Sequence, residues 1–458
     1  MRRPRPKLLH LGRGNCSQLI RPRRPELEKL AINHLRGTSY QIVVKTRRSG
    51  FKSSLRISVE DPLNYRRILS ILIGSVVIAL LPAPFAGSGF NDAGAAQVAH
   101  SLVLTPLILS VQNAPIPFAG SDGRTHLVYE VFVTNFTSLT ATVERVDVLA
   151  DGKVIQTLDS DAVAARLQPA GQRTSRDTTP TGTQSVLFVH LILPMGGIVP
   201  GNLSHRFTVD VHGRKIVETG GNTSVNLRPV AVIGPPLRGS RYISADSCCD
   251  ASRHTRAALP LNGRVWVSQR YAVDWEQLDS AGRVYVGSRS DVASYKIYGA
   301  QVLAVAKATV LIAVDRLPNQ VPGKFPENLP IDEADGNHVI MDLGNGNYAL
   351  YAHMKPGSIR VHPGQTVMPG QVIGLVGNSG NTIAPHLHFQ LMDRPSSLGA
   401  NGLPYEIKAF RITAVTPGTA AFDAAEANGT PLAVKPFAPP DHVTNALPLD
   451  QLIISFSP

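Results

Sequence analysis

Pro385-His386-Leu387-His388-Phe389 is the stretch on which the reading of this chain turns. In an extended strand, side chains two apart lie on one face, so His386 and His388 present both imidazoles to a single site. Upstream of the pair lie Gly336-Asn337-His338-Val339-Ile340-Met341-Asp342, Gly344-Asn345-Gly346 and Tyr351-Ala352-His353. Pro369-Gly370-Gln371-Val372-Ile373-Gly374 and Gly377-Asn378-Ser379-Gly380 follow. Short apolar runs punctuated by glycine predict strands joined by tight turns. His353 ends its own strand and is placed to join the pair. Asp274, in Tyr271-Ala272-Val273-Asp274-Trp275, offers an anionic oxygen. Two or three protein ligands plus water make up a catalytic zinc site, and a further imidazole beside the metal can move protons or stabilise an oxyanion.

The block resembles the lysostaphin-type zinc endopeptidases, the LytM family, over about Leu261 to Pro404 and most densely over Gly336 to Phe389. The resemblance implies an antiparallel β peptidase domain. It implies zinc held by the aspartate of a His-X-X-X-Asp motif and the second histidine of His-X-His, hence Asp274 and His388. It assigns the substrate-side roles to His353 and His386, and peptidoglycan peptides as substrate. One position departs from the pattern: four residues before Asp274 stands Arg270 instead of the first zinc histidine. A guanidinium has no lone pair to donate. Either a nearby histidine replaces the ligand, with His254 in Ser252-Arg253-His254-Thr255-Arg256 the best placed, or the site is degenerate and the module only binds or regulates at the cell wall. Ala308 also stands where the family has a turn glycine. Val361 to Gly374 is similar to the hairpin of biotinyl and lipoyl carrier domains, but the equivalent turn, Asn378-Ser379-Gly380-Asn381, holds no lysine to modify.

Working outward, 458 residues with 43% hydrophobic and 17% charged content imply two or three globular domains. Residues 100–232 read as short strands at intervals of 8–12 residues, an immunoglobulin-like β-sandwich. Its clearest strands are Leu127–Val133, Ala141–Val148 with imperfect alternation, Lys153–Leu158 after the turn Asp151-Gly152, and Ser185–Leu193. His126 and His205 in this part, and His338 and His362 later, read as strand, structural or surface residues. Pro235-Pro236 marks a linker, suggesting that the peptidase part folds without the sandwich. The peptidase domain is set at 237–410, with an irregular insertion near Pro318 to Asp335, and 411–458 as a tail ending in one strand. The expected fold class is therefore all-β: a sandwich followed by a lysostaphin-type antiparallel domain.

The net charge of +12 is local. Residues 1–67 carry 17 Lys/Arg against 4 Asp/Glu, while the remainder is balanced at 28 basic and 29 acidic residues, so the body offers no basic patch for nucleic acid. This leader shows no sustained period and reads as disordered or untranslated. Arg66-Arg67, the apolar run Ile68–Leu81 and the small residues through Ala93-Gly94-Ala95 make 68–96 a signal peptide or a retained membrane anchor, with the catalytic half outside the cytoplasm. The neighbours Cys248-Cys249 are either free thiols or a vicinal disulfide, and Cys16 lies in the leader.

Overall fold

The computed structural model describes residues 104–456 except 195, 251 and 252, together with the backbone strands Glu26–His34, Tyr40–Arg48 and Phe51–Val59. Cys16, the apolar run Ile68–Leu81 and Ala93-Gly94-Ala95 lie outside the described residues. Among the described residues no helix is long and apolar enough to cross a membrane. The three early strands form an antiparallel meander, where the sequence reading expected no structure. The β-branched content of Tyr40 to Thr46 (Ile42, Val43, Val44, Thr46) favours a strand, and the surrounding arginines and lysines obscure it.

Residues 101–458 form one compact unit. Its first part is a β-sandwich. One sheet runs in the order 178–179, 141–150, 202–211, 214–224, with 153–158 also paired to 141–150. The other runs 107–111, 125–135, 184–193, 167–169, with 118–119 on 125–135. The two share a core of Leu127, Tyr129, Val131 and Val133 against Val146, Val148, Phe207 and Val209. The imperfect alternation of 141–148 has a local cause. Thr208 pairs with Arg145 and Val209 with Val143, so Glu144 is one residue too many, and the bulge brings Val143 back into phase with Val146 and Val148. Ser160–Arg166 forms a short helix capped by the Asp159 carboxylate on the Ala162 N–H (2.9 Å), an element the strand pattern did not reveal.

The strand Thr125–Asn135 is buried on both faces. Its odd residues enter the sandwich core, while Val128, with Ile116 and Phe118, belongs to the core of the second part. The Pro235-Pro236 segment therefore joins two bodies that share apolar packing.

That second part is one antiparallel-rich sheet in the order 231–233, 405–415, 452–456, 239–245, 273–277, 387–392, 347–354, 337–344, 308–314, 366–367. The strands 402–403 and 435–446 attach to 387–392 and 405–415. Val273, Trp275, Phe389, Leu391, Ala349 and Tyr351 fill the core on one face, and the face of Asp274 and His388 is left for chemistry. Residues 411–458 are not a tail. Leu452–Phe456 lies inside the sheet between 405–415 and 239–245, and the helix Thr419–Asn428 packs Phe422 and Ala425 over Ile243, Ala245 and Ile453. Cys248 and Cys249 are joined as a disulfide.

Candidate active site

Three adjacent strands bring the motif residues together. Asp274 pairs directly with His388 across the 273–277 and 387–392 strands, and His388 pairs with Ala352 on the 347–354 strand. Directly opposed residues share a face. By the same alternation His353 belongs with Tyr351 on the core side. Its φ of 59° breaks the pattern and turns the ring to the other face, where its centroid lies 4.7 Å from that of His386. A non-glycine residue held in this region is costly and is retained where surrounding structure enforces it. Here the His353 N–H donates to Asp335 O (2.9 Å) and His353 Nδ1 donates to Ser379 O (2.8 Å).

The glycines around this loop have a steric reason. A Cβ on Gly336 would lie 2.1 Å from Ser379 O, and one on Gly380 2.3 Å from Gly336 N. The two backbones therefore touch, with Ser379 Oγ accepting from Asn337 N and donating to Met354 O, both at 2.8 Å. The Gly-Asn-His and Gly-Asn-Ser-Gly motifs thus fix the carbonyl that orients His353.

His254 arrives on the segment that follows the disulfide. Its Nδ1 donates to Asp246 O (2.9 Å), which turns Nε2 toward Asp274 Oδ2 at 3.3 Å. Gln390, two residues beyond His388 on the same face, turns its Nε2 to Met392 Sδ (3.6 Å) and Ser397 O (3.2 Å). Its Oε1 then accepts from His388 Nε2 (2.9 Å), so the bare Nδ1 of His388 faces Asp274 Oδ1 at 2.9 Å. With His254 neutral, three acceptor groups converge, and a metal ion or a proton on His254 Nε2 reconciles them. Ligand atoms of His254, Asp274 and His388 lie within 4.8 Å of one another, as do those of His353, His386 and His388, so these clusters can hold a metal ion.

Arg270 does not face this site. It is buried and makes a two-pronged bond to the equally buried Glu130 of the sandwich, Nε to Oε1 at 2.7 Å and Nη2 to Oε2 at 2.6 Å. Its Nη1 donates to Gly402 O (3.2 Å).

The electrostatics follow from burial and from Asp274. Burial pushes His254 down, but the carboxylates of Asp274 and Asp246 outweigh it and raise His254 to about 9. Burial would raise Asp274, yet His254 and His386 hold it well below the carboxylate range. Burial and the neighbouring His386 and His388 hold His353 well below the ordinary histidine value. His386 donates from Nδ1 to Ala384 O (2.8 Å), and Asp274 raises it against the effect of burial.

The cleft measures about 730 Å³, and its lining includes His254, Asp274, His353, His386 and Phe325. Sequence reasoning passed over Gln390, and also the buried Glu276 and Glu426 in the cleft wall. Burial first, then Glu426, holds Glu276 well above the carboxylate range, and burial raises Glu426. A polar residue two places from a candidate ligand on a buried strand is the signal that marks Glu276 and Gln390. Among the other histidines, His338 is buried and donates from Nδ1 to Gly336 O (2.8 Å), His362 is exposed, and His205 is buried against the Tyr129 hydroxyl (2.8 Å).

Residues 291–400 match the profile of Peptidase family M23. That stretch is thus a lysostaphin-type, M23 peptidase domain, as its motifs led one to expect. Over 65 residues the chain is 42% identical to peptidoglycan DD-endopeptidase ShyA of Vibrio cholerae serotype O1, a match covering 14% of this chain and 15% of that relative. Among solved structures, the catalytic domain of the antimicrobial peptidase lysostaphin from Staphylococcus simulans is similar at 22% identity, 36% of this chain and 86% of that one, with a TM-score of 0.20. A zinc-containing peptidase from Vibrio cholerae is similar at 14% identity, 61% and 82% coverage and a TM-score of 0.20.

Proposed function

We propose that this module is a zinc-dependent endopeptidase of bacterial peptidoglycan, with Asp274, His388 and His254 as metal ligands and His353 and His386 as the groups acting on substrate. The observation that carries the reading is the convergence of His254 Nε2, His388 Nδ1 and the Asp274 carboxylate, whose ligand atoms lie within 4.8 Å of one another. A zinc ion there supplies a Lewis acid and lowers the pKa of a bound water to about 7.

The chain's own residues do the rest. The Nδ1 atoms of His353 and His386 are tied to backbone carbonyls, so both present Nε2 to the cleft. One takes the proton of the attacking water and returns it to the departing amine, and the imidazolium formed meanwhile stabilises the oxyanion. Peptidoglycan peptides as substrate follow from the M23 match and from the activity that the ShyA name states for that relative. The signal-like segment at 68–96 and the oxidised pair Cys248–Cys249 support a place outside the cytoplasm, whether the segment is cleaved or kept as an anchor.

The test is metal content beside hydrolysis of purified peptidoglycan. His254→Ala should lose zinc and activity together, as should His388→Ala. His353→Ala should keep the metal and lose about 10²–10⁴ in turnover. A His254→Ala chain that retains its zinc at this site sinks the ligand assignment. A native chain that takes up no zinc and releases no peptide favours the non-catalytic wall-binding reading.

A further inference from the structure

A second pair of histidines lies where sandwich and peptidase meet. His126 and His190 stand on neighbouring strands, 125–135 and 184–193, in diagonal register, since His126 pairs with Ile192 and His190 with Val128. His126 Nδ1 and His190 Nε2 face each other at 2.8 Å. Each ring's other nitrogen is held by a carboxylate: His126 Nε2 donates to Asp122 Oδ1 and His190 Nδ1 to Asp250 Oδ2, both at 2.9 Å. With those tautomers in place, two lone pairs point at one another across a largely buried gap, and either a proton on one ring or a metal ion between them reconciles the pair. An imidazole whose far N–H is held by a carboxylate is the usual arrangement of a metal-binding histidine. Cys249 closes the third side, its Sγ within 4.8 Å of a ring nitrogen of each histidine. The positive charge of Arg166 is already taken by its ion pair with Asp250.

We propose that His126 Nδ1, His190 Nε2 and the Cys249 thiolate form a second metal site, for a zinc-class divalent ion, which opens when the Cys248–Cys249 disulfide is reduced. Sulfur in a disulfide is a poor ligand, whereas a thiolate with two imidazoles suits zinc, with a fourth position left to water. A dithiol supplies the two electrons and two protons, itself closing to a cyclic disulfide, and gives two cysteine thiols. Cys249 then gives up its proton to solvent as the ion binds. Zn–N bonds of about 2.0–2.1 Å at a tetrahedral angle place the two nitrogens about 3.3 Å apart, so the rings separate by roughly half an ångström. The ion would link two sandwich strands to the segment that leads into His254. Reduction thus exchanges a link between neighbouring residues for one between the two parts of the molecule.

The proposal stands apart from the catalytic reading, and two serine variants of the full chain test it without any reductant. Cys248→Ser and Cys249→Ser both abolish the disulfide, but only Cys248→Ser leaves the ligand thiol. Cys248→Ser should bind one more equivalent of Zn²⁺ than the native oxidised chain, and with Co²⁺ it should show a thiolate-to-cobalt charge-transfer band. Cys249→Ser should show neither. Adding His190→Ala to Cys248→Ser should remove the extra equivalent, and adding His388→Ala should leave both it and the band intact. Equal zinc uptake by the two serine variants, or a cobalt band that survives His190→Ala, overturns the assignment. A native chain that binds no metal at the His388 site would count against the catalytic reading and leave this one standing.

Discussion

Arg270 stands at the position of a missing ligand, yet the structure gives it another task, and Glu130→Ala measures that task. Glu130 and Arg270 are 2% and 5% exposed, and the guanidinium has one partner besides the carboxylate, the Gly402 carbonyl. Removing Glu130 strands a buried positive charge at the join between sandwich and peptidase. Breaking a buried pair by deleting one partner costs about 3–5 kcal/mol, or roughly two to three and a half orders of magnitude in the folding equilibrium. Replacing both partners with apolar residues of similar volume, as in Glu130→Leu with Arg270→Met, removes the stranded charge and should recover most of the loss. Urea unfolding followed by tryptophan fluorescence suits the measurement, because fully buried Trp275 lies next to Asp274 in the peptidase sheet. The zinc content of the folded fraction should not change in either variant. A single variant that loses less than about 1 kcal/mol, or a double variant no better than the single, would show that the pair is not the join described here.

Other outcomes follow from the same geometry. Gln390→Leu frees the His388 Nε2–H and should weaken zinc binding by about 10- to 100-fold in a chelator competition, with the fold unchanged by circular dichroism; unchanged affinity would show that Gln390 does not set the tautomer. In the zinc-free chain, His254 is raised from 6.5 to about 9, so the folded form holds that proton more tightly than the unfolded one. Its contribution is complete below pH 6.5 and fades as pH climbs through about 9, so thermal midpoints in chelator should fall over that window, and a rising midpoint would contradict the His254–Asp274 contact. Residues 237–458 expressed alone lose the apolar cover of Ile116, Phe118 and Val128 and the partner of Arg270, and should aggregate or unfold; a stable, monomeric fragment would refute the shared core.

What the sequence disclosed and what it withheld divide along chain distance. His386 and His388 are legible because two residues make one strand repeat, and Asp274 because it alternates with Val273 and Trp275. His254 was found by looking for a lone pair that Arg270 lacks. The orientation of His353 was not legible, since alternation assigns it to the core and only the left-handed backbone turns it outward. Glu130 is 140 residues from Arg270, and His126 is 64 from His190. Pairings of that range depend on how sheets stack, and no local periodicity records it. The apolar run of 127–133 was legible as a strand, but its burial on both faces became visible only with the second body in place.

The position of Leu452–Phe456 sets an order of events during synthesis. The 239–245 strand is bordered on one side by the Asp274 strand and on the other by residues made more than two hundred positions later. Until those residues emerge, 239–245 is the open edge of the sheet, and the helix Thr419–Asn428 lacks Ile453 beneath it. An open edge is a site for wrong pairing, and long-range closure is slow. A growing chain thus carries every histidine of the cleft well before the sheet beneath Asp274 can close.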